Sequence, residues 1–358
     1  MSRFLLIDIG AGTMDVLYVD TTGQLHYKAV VISPVRDVAG LIERTPGNLM
    51  VDGVEMGGGP VSAALIERAN TSVVIMSASA ANTIHHEVER VKGHGIRILG
   101  DGPAAEHQIN SGFTRLSIGD IQPGRIERLV RGFGVPFEFD AVAVCAQDHG
   151  VAPAGVSHLD FRHNIFTGIL ELSPYPESLL FDAESLPGTL NRLSSIDAAA
   201  RRLPATNIYV MDSGMAAILG ASMDISVRHK ETIAVFDVAT SHTVGAVLHR
   251  GALCGFFEYH TRDITVDGIY KAIHALADGT LSHQAILEQG GHGAYLRRAP
   301  GFDRIEAFVI TGPRRRLLED IPLPVTWGAP WGDNMMTGTV GLMEALRRRL
   351  DLDPMVYL

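Results

Sequence analysis

Cysteine is nearly absent: two residues, Cys145 and Cys254, stand far apart in a chain of 358. One such pair is no disulfide framework, and no Cys-x-x-Cys offers ligands to zinc or an iron–sulfur cluster. Two buried free thiols in a reducing compartment are expected. Long apolar runs are also missing, none approaching the ~20 residues that a membrane helix requires. The short apolar run near the N-terminus ends at Asp8 and is far smaller than a signal-peptide core, so the expected location is the cytoplasm, with no membrane partner. Nor is there a long run of Lys or Arg. The formal net charge is −10 and the one basic knot is Arg314-Arg315-Arg316, which makes nucleic acid an unexpected partner. What remains is globular composition, 46% hydrophobic and 20% charged, in a chain long enough for two domains.

The residue pattern alternates strands and helices after an opening meander, the mark of an α/β layered protein. Strand-like runs at Phe4–Ile9, Met14–Val19 and Leu25–Ile32 are separated by Gly10-Ala11-Gly12 and Thr21-Thr22-Gly23, turns suited to antiparallel neighbours. Helices are predicted over Val35–Arg44, Val61–Ala69, Ala80–Lys92 and Ile121–Gly132, and a buried strand over Ala141–Ala146. The stretch from Val151 to Pro204 is rich in Pro, Ser and His and reads as an irregular crossing segment. A strand at Asn207–Met211 then feeds a small-residue helix, Met215–Ala221, and a second three-strand opening follows at Ile233–Phe236, Val244–Leu248 and Leu253–Glu258. Three units are expected: a first lobe over 1–150, the crossing segment over 151–205 and a second lobe over 206–358.

Four constellations carry candidate chemistry. In Asp8-Ile9-Gly10-Ala11-Gly12-Thr13-Met14-Asp15, small turn residues let backbone N–H groups approach phosphate oxygens, with Thr13 adding a hydroxyl and Asp8 placed for a hydrated Mg²⁺. Taken alone, the same residues could form an ordinary hairpin. Asp237, followed by Ala239-Thr240-Ser241-His242-Thr243, repeats the order: Ile7-Asp8-Ile9-Gly10 lies over Phe236-Asp237-Val238-Ala239, and Thr13 falls beside His242 or Thr243. Asp212-Ser213-Gly214 opens the Ala/Gly helix, where Asp212 is either a helix cap or a functional acid. Thr311-Gly312-Pro313-Arg314 follows a buried strand, and Gly312 there offers a flat surface for adenine or ribose, with Arg314 or Arg315 above it.

The order of these motifs resembles that of the actin-like ATPase superfamily, which includes heat-shock chaperones, actin, and acetate and sugar kinases. The resemblance implies two ribonuclease H-like α/β lobes around a central nucleotide cleft. It places the first phosphate motif at Asp8–Asp15, the second at Asp237–Thr243 and the adenosine motif at Thr311–Arg314. The two connecting helices would be Asp212–Ala221 and Met336–Leu342. A closer similarity runs along nearly the whole chain, through Met56-Gly57-Gly58-Gly59-Pro60, Gln147-Asp148-His149-Gly150, Phe257-Glu258-Tyr259-His260-Thr261 and Gly290-Gly291-His292-Gly293. These resemble a prokaryotic family whose members often carry the label "putative pyruvate formate-lyase activating enzyme". Such radical enzymes need Cys-x-x-x-Cys-x-x-Cys, which this chain lacks.

The resulting expectation is an enzyme, a kinase or ATPase, with ATP and Mg²⁺ as cofactors and a small metabolite as substrate. Asp8 and Asp237 would hold the metal; Gly10, Ala11, Gly12 and Thr13, with Thr240, Ser241, His242 and Thr243, would line the phosphates. Asp148 or Asp212 would serve as base, with His149 beside Asp148 as its partner or a metal ligand. The alternative is a nucleotide-driven switch that acts on a partner protein. Of fifteen histidines, His149, His163, His242, His260 and His292 are candidates, His149 and His292 beside glycine, and at least two are expected in the cleft. None has the helical i, i+4 spacing of a metal pair.

Overall fold

The structure is a computed structural model that describes residues 2–22, 25–101, 112–153 and 155–355. In chain order its strands begin with β1 (Arg3–Ile9), β2 (Thr13–Asp20), β3 (Leu25–Ile32), β4 (Asn48–Gly53), β5 (Val74–Ser77) and β6 (Arg97–Leu99). They continue as β7 (Phe113–Ile118), β8 (Phe139–Ala146), β9 (Leu180–Phe181), β10 (Ala205–Asp212) and β11 (Thr232–Val238). The last are β12 (His242–His249), β13 (Ala252–His260), β14 (Gly293–Leu296), β15 (Ala307–Thr311) and β16 (Val325–Trp327).

Two six-stranded sheets share one plan. The first has the order β3-β2-β1-β8-β10-β9 and the second β14-β13-β12-β11-β15-β16. In each, the first strand of an antiparallel meander is flanked on its other side by a parallel strand: β1 pairs parallel with β8, and β11 with β15. The central strands are apolar on both faces and nearly all buried, as sheets covered on both sides must be. Leu5, Leu6 and Ile7 have no exposure, and neither do Ala234 and Phe236. A separate four-stranded parallel sheet, β6-β5-β4-β7, has its own core around Ile42, Leu49, Val51 and Leu65. The duplicated α/β plan expected from the two meanders is therefore present.

Two helices join the sheets. Ser213–Ser222 and Thr337–Arg349 lie against each other; the first also packs on strands of both six-stranded sheets, the second on β1, β2 and β8 of the first sheet. They cross through glycine. A Cβ on Gly220 would overlap the carbonyl oxygen of Thr337, and one on Gly341 the carbonyl oxygen of Ala216. The small-residue composition read from the sequence thus serves close backbone approach.

Several expectations are corrected. Residues 151–204 are not irregular: they hold the helices His158–Leu172 and Asn191–Ala200, and Phe166, Leu170, Leu193 and Ile196 pack into the main core. Weak amphipathicity hid them, because their apolar residues are spread around the helix rather than gathered on one face. β10, expected to open the second lobe, belongs to the first sheet, where Ile208–Asp212 pairs parallel with Val142–Ala146. The helix expected over Ala80–Lys92 is two short ones, Ala78–Ala81 and Val88–Gly93, with the His85–Glu87 stretch between them. Strands β6 and β7 were not anticipated; much of each is solvent-facing, so their apolar signal is thin. Gly23 of the second expected turn lies outside the described residues. Both cysteines are buried and free, in different sheets.

Candidate functional site

The two meander turns are built alike. In the first, Gly10 N–H donates to Thr13 O at 3.0 Å; in the second, Ala239 N–H donates to His242 O at 3.1 Å. Asp8 stands opposite Asp15 across β1 and β2, as Asp237 stands opposite Val244 across β11 and β12. The sequence left Thr13 beside either His242 or Thr243, and the shared hydrogen bond selects His242. The turns also face each other. A Cβ on Gly12 would come within 3.2 Å of the Thr240 side chain, so this glycine leaves room for the opposing turn. Ser33 fixes the first turn from behind, donating through Oγ to Gly10 O at 2.6 Å.

Between the turns lies a cleft of about 520 Å³, lined by Asp8, Gly10, Ala11 and Thr13 on one side and Asp237, Thr240, Ser241 and His242 on the other. Gly312, Asn334 and Gly338 also border it. Gly312 has φ of 89° and packs so tightly on the Val238 carbonyl that only glycine fits there. The first residues of both connecting helices, Ser213 and Thr337, reach the same space.

Asp8, Asp15 and Asp237 form an acidic floor. Burial raises the Asp8 carboxyl to about 6, with Asp212 adding repulsion. Burial, then the neighbouring Asp8, raises Asp15 to about 8. Burial raises Asp237 to about 7, opposed by a hydrogen bond from Thr311 Oγ1 at 3.1 Å. Asp15 Oδ1 is buried and has no hydrogen-bond partner among the described residues. Three clustered acids, one with an unpartnered oxygen, suit a hard divalent cation such as Mg²⁺, which prefers oxygen ligands and would displace the protons that burial favours.

Four of the sequence-derived candidates sit elsewhere or are otherwise engaged. Asp212 does not line the cleft; its Oδ1 caps the helix at Met215 N, 3.1 Å away, and its Oδ2 accepts from Arg162 Nη2 at 2.8 Å. Thr243 is fully buried and hydrogen-bonded to Thr261 Oγ1 at 3.0 Å, because the alternation of β12 turns it from the cleft. Arg314 is exposed beyond the cleft, and Arg315 instead stacks on Trp327 and donates to Gly328 O at 2.7 Å. Asp148 does reach the cleft, but both oxygens are taken: Gly150 N donates to Oδ1 at 2.7 Å and Leu193 N to Oδ2 at 2.9 Å. It shapes the Gln147–Gly150 turn, with one backbone N–H engaged by each carboxylate oxygen.

His149 lies in the cleft beside His242, His260 and His292. The ring centroids of His242 and His292 are 4.6 Å apart, and those of His260 and His292 4.4 Å. Desolvation, then the Arg162 charge, depresses His149 to about 3; desolvation depresses His242 to about 4. His292 Nδ1–H donates to Glu258 Oε1 at 3.3 Å. Glu258 in turn accepts from Gln147 Nε2 and from Arg162 Nη1, the latter at 2.7 Å. Burial pushes Glu258 up, but Arg162 and the histidines outweigh it and hold the carboxyl well below the usual range. Sequence reading named neither Arg162 nor Glu258 as a site residue. Glu258 lies in the Phe257–Thr261 motif, but its pairing with Arg162 spans 96 residues of chain and has no local signature.

A second ionic clamp stands at the opposite wall. Arg192 donates to both oxygens of Asp120 at 2.8 and 3.1 Å and to Gln147 O at 2.8 Å, while Asp120 also accepts from Gly57 N. The Gly57-Gly58-Gly59 and Gln147–Gly150 turns are thereby held together at the cleft. His163 lies apart from it, its ring 3.8 Å from that of His283.

In three-dimensional comparison, the chain is similar to an activator of 2-hydroxyisocaproyl-CoA dehydratase from Clostridium difficile solved with ADPNP, at 9% identity, 98% coverage of both chains and a TM-score of 0.35. It is similar to Lmo2764 of Listeria monocytogenes, described as a putative N-acetylmannosamine kinase, at 10% identity, 97% and 99% coverage and a TM-score of 0.35. A chain of the PilM–PilN type IV pilus biogenesis complex matches at 12% identity, 98% coverage of both and a TM-score of 0.41. No curated protein matches in sequence. Residues 56–317 match the model of the family described as "Putative pyruvate format-lyase activating enzyme (DUF1786)". That match takes in the glycine turn at Met56, both ionic clamps, the histidine cluster and the second meander, and the chain belongs to this family.

Proposed function

We propose that the protein binds ATP with Mg²⁺ between its two meander turns and uses it to phosphorylate or otherwise activate a small metabolite. The observation that carries this reading is the pair of like-built turns, each preceded by an acid, facing one another across a cleft with an acidic floor. Small turn residues leave backbone N–H groups accessible to phosphate oxygens, and the two helix N-termini add favourable dipoles. Asp8 and Asp237, with Asp15 behind them, would hold Mg²⁺ through its water shell. When bound, Mg²⁺ supplies charge neutralisation to the phosphates. Thr13 and Ser241 would donate hydroxyls to phosphate, and Gly312 would give adenine or ribose a surface without a side chain.

The radical chemistry in the family's description finds no ligand set in this chain. Cys145 and Cys254 are buried in separate sheets, and a cluster of that kind needs three closely spaced thiolates.

A second reading, a nucleotide-driven switch acting on a partner protein, is favoured by one observation. Both acids considered as bases, Asp148 and Asp212, have their oxygens committed to backbone or arginine donors. Acids so engaged accept a substrate proton less readily, which suits slow hydrolysis more than rapid transfer to a hydroxyl. Incubation with γ-labelled ATP and fractions of small metabolites separates the two. Label on a small molecule is expected for the first reading. Phosphate release accelerated by a single co-purifying protein would favour the second, and no turnover in either setting would contradict both.

A further inference from the structure

The histidine cluster is not needed to explain nucleotide binding, yet it is assembled from four distant segments. His149 follows β8, His242 opens β12, His260 closes β13 and His292 precedes β14. His242 and His260 are cross-strand partners, and His292 N–H is tied to Glu258 O at 2.8 Å. Ligand nitrogens of His149, His242 and His292 all lie within 4.8 Å of one another. In a tetrahedral zinc site, Zn–N bonds of about 2.0–2.1 Å put nitrogens about 3.3 Å apart. Small imidazole rotations close the remaining distance. His260 Nε2 is hydrogen-bonded to His292 Nε2 at 3.1 Å, a contact that a metal on His292 would replace.

The support behind the cluster is also that of a metal site. A ligating histidine ordinarily hands its second nitrogen to a carboxylate, which fixes the ring and raises its basicity. His292 does so through Nδ1 to Glu258, leaving Nε2 for a metal. Glu258 is itself locked by Arg162, whose other arm holds Asp212 at the start of a connecting helix. A chance huddle of surface histidines would have no such buried backing.

We infer that His149, His242 and His292 bind one divalent transition-metal ion of the zinc class, with the fourth coordination position turned to the cleft beside His260. Imidazole nitrogen is the preferred donor for zinc, cobalt, nickel and copper and a poor one for Mg²⁺, so this site is chemically separate from the acidic floor. It stands whether or not the nucleotide reading does.

The test uses untagged full-length protein, stripped with chelator, reloaded with Zn²⁺ or Co²⁺ and desalted. About one metal per chain is expected to remain, with the intense visible absorption of tetrahedral Co²⁺. His149→Gln, His242→Gln and His292→Gln should each weaken Zn²⁺ binding at least ~100-fold, while the exposed His229→Gln retains it. Asp8→Asn should keep the zinc, which separates this site from the acidic floor. Less than about a tenth of an equivalent retained by wild-type protein with native circular dichroism would overturn the proposal. So would equal retention by His242→Gln and wild type, since binding would then lie elsewhere. Gln variants preserve a polar side chain of similar reach, and their circular dichroism distinguishes lost ligation from lost fold.

Discussion

Asp15 concentrates the electrostatic cost of the cleft. Its carboxyl titrates near 3.8 when exposed in the unfolded chain and is raised by burial and Asp8 to about 8 in the fold. A folded-state value above the unfolded one means that stability is fully present below pH 3.8. It is lost progressively as pH rises toward 8. Asp15→Asn removes that penalty. In Mg²⁺-free buffer its melting temperature should match wild type at pH 4 and exceed it by about 5 °C at pH 8; an equal difference at both pH values would contradict the assignment. Arg162 is the opposite case, one cation holding two buried anions, Asp212 and Glu258, at 2.8 and 2.7 Å. Arg162→Met leaves both without their counter-charge and should cost about 3–5 kcal/mol in urea denaturation. A loss under about 1 kcal/mol would show that solvent reaches them. Asp8, Asp15 and Asp237 were visible in the sequence because each sits at a strand end beside its turn. The Arg162 pairs were not, since nothing near residue 162 announces a partner at 212 or 258.

The crossing of Ser213–Ser222 with Thr337–Arg349 is the element on which the relation of the two six-stranded sheets depends. Gly220 and Gly341 each lie where a methyl group would overlap the other helix's backbone, so neither helix can yield by a side-chain rotation alone. Gly341→Ala should destabilise by about 3 kcal/mol in urea denaturation, the upper range for overpacking. Gly132→Ala, at a helix end with open space around its Cα, is the control and should change little. Equal effects would mean that the crossing is loosely packed. This element was legible: a run of Ala and Gly after a buried strand has few uses besides close approach. The helices within 151–204 were obscured by Pro, Ser and His, residues that also make loops. Helix Asn191–Ala200 carries Arg192, so the clamp on Asp120 and Gln147 went unread with it.

At the scale of the whole molecule, duplication is what made the fold readable. Two meanders with an acid at the same place in each imply two like-built sheets, and the turn hydrogen bonds at Gly10 and Ala239 repeat that likeness atom for atom. Function was less legible, because the cleft draws side chains from positions as far apart as Asp8 and Gly338. Short-range motifs identify a turn that could hold phosphate, but the company kept by His149, His242 and His292 emerges only when three segments meet. The same topology accounts for both: the turn after β8 carries His149 beside β1, and β12 begins at His242 beside β11, so each of these histidines stands next to a meander turn.

Calorimetric titration with Mg·ATP tests the central claim most directly. Wild-type protein should bind about one nucleotide per chain in a Mg²⁺-dependent manner, and both Asp8→Asn and Asp237→Asn should weaken binding at least ~10-fold, about 1.4 kcal/mol. Absence of binding by wild-type protein at millimolar Mg·ATP, or binding unaffected by either substitution, would contradict the account.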